Sequence, residues 1–274
     1  MIELHKYSGA GNDFVVLDGR KEDVSEFRTA GRIAALCDRR TGFAAADGRI
    51  GADGLMILTE DPDYDFRMEY YNSDGSGGMM CGNGGRCIVA FADALGLKPA
   101  DGRVFRFAAA DGEHTGEILA REGDLKTVRL RMIDVHEFRP ALDGWFLDTG
   151  TRHFVRFVPD VEAVDIEKEG YAARWDPLFA PIGANANFVS VDPDGTLRVR
   201  TFEKGVEAET LACGTGITAS AIAAYLEGPA TAVSSGVSVH FGIQARIARL
   251  AVDFRPGQNC FTDVYLTGPA DEIR

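Results

Sequence analysis

The sequence predicts an α+β fold of two related, pseudo-symmetric halves, in each of which strands surround a single helix. Three observations carry this. Cys81-Gly82-Asn83-Gly84 and Cys213-Gly214-Thr215-Gly216 repeat one plan 132 positions apart. Each cysteine opens a glycine-rich turn into a segment of helical periodicity. Ile88, Phe91, Ala92 and Leu95 follow the first until Gly96 and Pro99, and a small-residue helix runs from the second to Gly228-Pro229. The flanking landmarks keep the same offset: Gly51-Ala52-Asp53 against Gly183-Ala184-Asn185, Asn72 against Lys204, and Gly96 against Gly228. Upstream, Gly11-Asn12 matches Gly150-Thr151 at an offset of 139, so the first half carries seven extra residues, assigned to a small-residue insertion at 43–50.

In order, Met1 to Tyr7 alternates like a strand, Ser8 to Asp13 turns, and Phe14 to Leu17 is apolar enough for a buried strand. A helix is expected from Ser25 to Cys37. Gly51-Ala52-Asp53-Gly54 turns into the strand Leu55 to Leu58, and Phe66 to Tyr71 leads through Asn72-Ser73-Asp74-Gly75 to the first cysteine. Arg103 to Phe107, Glu117 to Ala120 and Thr127 to Met132 read as strands between the halves, and Gly236 to Ala251 and Phe261 to Thr267 as the last ones. The expected domains are 1–124 with Cys81, 125–266 with Cys213, and a tail, 267–274, packing back on the first.

With 274 residues, 45% of them hydrophobic, the chain can bury two cores. A net charge of −13 and a pI near 4.8 set its field against nucleic acid and anionic membranes as partners. The N-terminus lacks signal-peptide character and no apolar run reaches membrane length, so a cytoplasmic protein is expected. Five cysteines without a Cys-x-x-Cys spacing give neither a disulfide framework nor a metal site. Cys37, Cys87 and Cys260 read as small apolar residues.

Cys81 and Cys213 differ from those three in setting. A thiol at a helix N-terminus lies against unpaired backbone N–H groups and the positive end of the helix dipole, which favours thiolate. Two such thiols, one per half, suit inversion at carbon: one removes a proton from one face of a stereocentre while the other supplies a proton to the opposite face. Gly82, Gly84, Gly214 and Gly216 let N–H groups converge on a carboxylate and stabilise the developing carbanion without metal or pyridoxal, so no cofactor is expected.

The chain resembles the diaminopimelate epimerase family through Gly9-Ala10-Gly11-Asn12-Asp13-Phe14, Gly51-Ala52-Asp53-Gly54, Asn72-Ser73-Asp74-Gly75-Ser76, Met80-Cys81-Gly82-Asn83-Gly84-Gly85-Arg86, Asn185-Ala186-Asn187-Phe188-Val189 and Glu209-Thr210-Leu211-Ala212-Cys213-Gly214-Thr215-Gly216. The resemblance implies two mixed β-barrel-like halves, each wrapped around a central helix, and a homodimer. It implies a small-molecule substrate, LL- or meso-diaminopimelate, in lysine and peptidoglycan-precursor synthesis, with Cys81 and Cys213 as catalytic thiols. Asn12, Asn72 and Asn185 would hold the distal amino-acid end, Glu203 an amine, and Gly82, Asn83, Gly214 and Thr215 the reacting carboxylate. The nearest alternative in the superfamily is a proline or hydroxyproline racemase, which usually carries histidine where Asn83 stands. Two substrate-binding positions depart from the family pattern: Lys204 replaces an arginine and loses its two-pronged grip on a carboxylate, and Thr151 replaces an asparagine.

Overall fold

A computed structural model describes residues 2–78, 81–228, 233–235 and 238–273, the segment 233–235 by its backbone alone. Met1, Met80, Pro229 and Gly236, named above, lie outside the described residues. The chain divides into two units, Met1–Leu130 with Gly268–Arg274, and Arg131–Thr267. Among the described residues no helix is long and apolar enough to cross a membrane.

In the first unit β1 (His5–Gly9) and β2 (Asn12–Asp18) form a hairpin. Its two turn residues, Ala10 (φ 57°) and Gly11 (φ 102°), both take positive φ, as a tight turn matched to strand twist requires. The expected helix from Ser25 to Cys37 is broken. A 3-10 turn, Ser25–Arg28, gives way to α1 (Ala30–Cys37) at Thr29, whose extended backbone (ψ 135°) lets its hydroxyl cap the Arg32 N–H. The insertion at 43–50 is a small loop closed by an Ala44–Ile50 bridge.

Next, β3 (Gly54–Thr59) lies parallel to β2 and antiparallel to β4 (Phe66–Asn72). After α2 (Gly82–Ala94) come β5 (Val104–Ala109), parallel to β4, and the antiparallel β6 (Gly112–Glu122) and β7 (Leu125–Arg131). The segment Gly268–Asp271 pairs with β7, and Asp271 and Glu272 pair with Ser8 and Tyr7 of β1, which closes the sheet on itself as a mixed barrel. Because β7 forms a long hairpin with β6, the division falls at Leu130, later than the boundary at 124 expected from sequence.

Helix α2 fills this barrel, buried from Gly82 through Ala92 and packed on β1, β2, β3 and β6. Gly9 permits the close approach: a Cβ there would lie 2.7 Å from the Asn83 carbonyl oxygen.

The second unit repeats the plan. In it β8 (Glu137–Ala141), β9 (Gly144–Asp148) and β10 (Arg152–Phe157) run antiparallel, and β10 lies parallel to β11 (Asn185–Val191). Between those two strands the chain makes 3-10 and π turns and the short α3 (Tyr171–Arg174). Then β12 (Leu197–Glu203) pairs with β11 and with β13 (Ala208–Thr210). After α4 (Gly214–Leu226), β14 (Val233–Ser235) and β15 (Ser238–Gln244) form a hairpin, β15 lying parallel to β12. The sheet continues through β16 (Arg249–Pro256) into β17 (Phe261–Glu272), and Val135 and Phe261 exchange 2.8 Å backbone hydrogen bonds beside β8 to close it. The expected single strand from Gly236 to Ala251 is thus two, separated by a turn at 245–248.

Helix α4 lies against β9, β10, β11, β12, β15 and β16, and its sequence, GTGITASAIAAYL, is small and apolar on every side, as a helix inside a barrel must be. The fold is therefore α+β, with two pseudo-symmetric halves each built of a mixed barrel around one helix.

Candidate active site

Each barrel presents one cysteine as the N-cap of its central helix, with extended backbone at Cys81 (φ −113°, ψ 138°) and Cys213 (φ −106°, ψ 110°). The glycines that follow place no side chain over the N–H groups of the first turn. The two settings differ in detail.

In the first unit Cys81 Sγ accepts a hydrogen bond from the Gly84 N–H at 3.3 Å. Gly82 and Asn83 are buried in that first turn. The Asn83 amide donates to Asn12 Oδ1 at 2.6 Å, and Asn12 Nδ2 donates to Asp53 Oδ2 at 3.0 Å. Arg39 bridges Asp53 and Asp13, and Lys6 meets Asp13 at 3.0 Å. Burial pushes the Asp13 carboxyl up, but Arg39 and Lys6 together hold it below the usual carboxylate range. Sequence brings Asn12, Asn83 and Cys81 into this barrel, and the structure joins the two amides directly. Asn72 stands apart from that chain: its side chain donates to Ser76 Oγ at 3.0 Å within its own turn.

In the second unit Cys213 Sγ lies 3.4 Å from Thr215 Oγ1. Thr215 Oγ1 is 2.9 Å from His153 Nε2 and 3.3 Å from Thr151 Oγ1. Asn185 joins the group through a 3.4 Å contact with Thr151, donates to the Arg152 carbonyl, and receives the Lys204 backbone N–H at 2.8 Å. Glu203 accepts from Thr210 Oγ1 at 2.7 Å. Thus Thr215 at the start of α4, Thr151 in the turn before β10, Asn185 at the start of β11 and the Lys204 backbone just past β12 are linked by hydrogen bonds, while Glu203, at the end of β12, pairs with Thr210 of β13.

Two polar residues missed from sequence complete this half. His153 and Asn187 are both fully buried, and Asn187 Nδ2 lies 3.1 Å from His153 Nδ1. Burial, helped by the Lys204 charge, pushes the His153 pKa down to about 3. Gly216 makes the room, since a Cβ there would run into Asn187 Oδ1 and the imidazole. The alternation Asn185-Ala186-Asn187, which puts both amides on one face of β11, was the available signal. In the first unit the residue missed is Arg86, fully buried and 2.8 Å from Asn83 Oδ1.

Each half thus sets a cysteine thiol beside the glycine-bordered first turn of its central helix.

Solved structures share this architecture. A phenazine biosynthesis protein of the PhzF family from Bacillus anthracis superimposes with a TM-score of 0.73 over 100% of this chain and 97% of its own, at 13% identity. A hydroxyproline epimerase from Agrobacterium vitis, solved with trans-4-hydroxy-L-proline, gives 0.62 over 99% and 92% at 17% identity. These neighbours define the fold class, the paired-barrel architecture of the diaminopimelate epimerase-like proteins.

Sequence narrows it. The diaminopimelate epimerase family model matches residues 4–126 and 145–244. A diaminopimelate epimerase of Flavobacterium psychrophilum is 40% identical over 99% of this chain and 98% of its own length, and that of Chlorobaculum tepidum is 40% identical over 97% of each. The chain belongs to the diaminopimelate epimerase family and is an isomerase of the epimerase type.

Proposed function

We propose that this protein interconverts LL- and meso-diaminopimelate, in lysine and peptidoglycan-precursor synthesis, with Cys81 and Cys213 as the two proton carriers. The observation that carries the reading is the repeated capping position: in two barrels of the same strand plan, a cysteine and a Gly-x-Gly turn occupy the start of the central helix. One cysteine, as thiolate, takes the α-hydrogen and becomes a thiol. The C–H electron pair passes into the α-carbon and its carboxylate, whose charge is met by N–H groups at Gly82, Asn83, Gly214 and Thr215. The other cysteine gives its proton to the opposite face and becomes the thiolate, and the reverse reaction exchanges the roles.

Asn12, Asn72 and Asn185 serve the distal end, with Glu203 for an amine and Lys204 and Thr151 as its neighbours. Amides suit a zwitterion because each offers donor and acceptor. The enzyme works without a cofactor, as a cytoplasmic homodimer.

The test incubates reduced protein in deuterated buffer with LL-diaminopimelate, and separately with L-proline and trans-4-hydroxy-L-proline, following α-hydrogen exchange and stereochemistry. Exchange and inversion of diaminopimelate are expected. Turnover of the proline substrates alone would overturn the reading. Cys81→Ala and Cys213→Ala are each expected to abolish inversion, and full activity in either would refute the two-thiol step.

A further inference from the structure

The start of α2 holds a cation that the proton transfer does not use. Arg86 is fully buried, and among the described residues its guanidinium meets no carboxylate. It donates to Gly82 O at 3.2 Å, to Pro269 O at 3.3 Å and to Asn83 Oδ1 at 2.8 Å. Burial draws its pKa down, with the Cys87 and Cys81 thiols acting the other way.

From it a directional chain runs outward. Arg86 Nη2 donates to Asn83 Oδ1, Asn83 Nδ2 donates to Asn12 Oδ1 at 2.6 Å, and Asn12 Nδ2 donates to Asp53 Oδ2 at 3.0 Å. The chain begins at a group that can only donate and ends at one that, ionised, can only accept. Neither amide can turn over without losing a bond on each side. Asp53 is itself fixed by Arg39 and by the Asp13 backbone N–H at 3.1 Å.

We propose that Arg86 and Asp53 are positioning residues which, from opposite ends of this chain, set the orientation in which Asn83 and Asn12 meet the substrate. Asn12 then keeps one N–H and one carbonyl lone pair in a fixed order, the pairing that an ammonium–carboxylate end requires. This rests on the reading that both asparagines contact substrate.

The test pairs Arg86→Met with Asp53→Ala, two residues that do not touch. Each single change is expected to lower kcat/KM about tenfold, chiefly through KM, and the double change little further, because the amide order is fixed only while both ends are in place and losing the second adds little to losing the first. Arg86→Lys, which keeps a cationic donor, is expected to retain most of the activity. Effects that multiply to about a hundredfold would mean that the ends act separately, and the proposal would fail.

A second readout needs no substrate, so it separates failure of this proposal from failure of the function. In asparagine-labelled protein, the Asn12 side-chain amide hydrogens should exchange faster in Arg86→Met. Should that variant not fold, the half-exposed Asp53 is changed alone and the exchange is read at Asn83, two bonds along the chain. Unchanged exchange at the reporting amide would overturn the relay.

Discussion

Asn187 Nδ2 donates to His153 Nδ1 across 3.1 Å, while Asn187 Oδ1 accepts from Thr201 Oγ1 at 2.9 Å. The Phe154 carbonyl, which accepts from the same Nδ2 at 3.0 Å, fixes the amide, and the amide fixes the tautomer. With Nδ1 accepting, the imidazole proton sits on Nε2, 2.9 Å from the hydroxyls of both Thr151 and Thr215. A neutral histidine therefore orients the threonine beside Cys213.

Neutrality at His153 has a consequence for stability. Its folded pKa is pushed down to about 3 from an ordinary 6.5, so between those values the unfolded chain binds a proton that the folded one does not. This contribution is complete above pH 6.5 and is lost as pH falls toward 3. We expect His153→Gln to flatten the pH dependence of urea unfolding between pH 6.5 and 4 by up to ~1.4 kcal/mol per unit. Identical slopes in the two proteins would show that the imidazole is charged when folded.

The five cysteines should separate by reactivity. Burial pushes the Cys37 thiol up to about 11 and the Cys87 thiol further in the same direction. At pH 7.5 the Cys37 thiolate is then of order one part in a thousand or less. Brief iodoacetamide treatment of the folded protein, mapped by peptide mass, should leave Cys37 and Cys87 unmodified, whereas in denaturant both should react. Labelling of Cys87 in the folded protein at the rate of Cys81 would contradict the burial of α2.

The two glycines at matching places in α2 and α4 should respond differently to a methyl group. At Gly84 a Cβ would meet the flexible ends of Met56 and Met68, at 3.3 and 3.4 Å, and Cys81 Sγ at an ordinary van der Waals 3.8 Å. Gly84→Ala should change stability by no more than about 1 kcal/mol, since helix propensity gains roughly what crowding costs. At Gly216 the methyl would strike Asn187 Oδ1 and His153, and about 1–3 kcal/mol of destabilisation is expected. Denaturant midpoints read both, and equal effects would show that the Asn187–His153 pair can move aside.

The capping thiols and their helices were legible because helical periodicity and Gly-x-Gly turns are local signals, and the repeat could be checked by offset. His153 and Asn187 were not. In sequence they are ordinary members of alternating strands, and only the parallel pairing of β10 with β11, with Thr201 supplied by β12, makes them a buried pair. The end of β17 was hidden for a different reason. Gly268-Pro269 reads as a stop, yet the strand continues to Glu272. Pro269 lacks a donor at a place where the β1 register covers only Asp271 and Glu272, and its carbonyl receives Arg86. Likewise, nothing local in Arg86 announces a buried cation.

Lys204 offers the sharpest test of substrate recognition. Its backbone N–H, just past the end of β12, is held by Asn185 Oδ1 at 2.8 Å, so the turn that carries its side chain is fixed by the same amide proposed for the distal end. An ammonium meets a carboxylate as a point charge, whereas a guanidinium grips both oxygens. Lys204→Arg should therefore lower KM for diaminopimelate about three- to tenfold with kcat little changed, a gain of up to ~1.4 kcal/mol in binding. Lys204→Gln, which removes the charge, should raise KM by a similar factor, as read from initial rates over a range of substrate concentrations. If neither change moved KM, residue 204 would not meet the distal carboxylate, and the recognition of that end would rest on Asn12, Asn72 and Asn185.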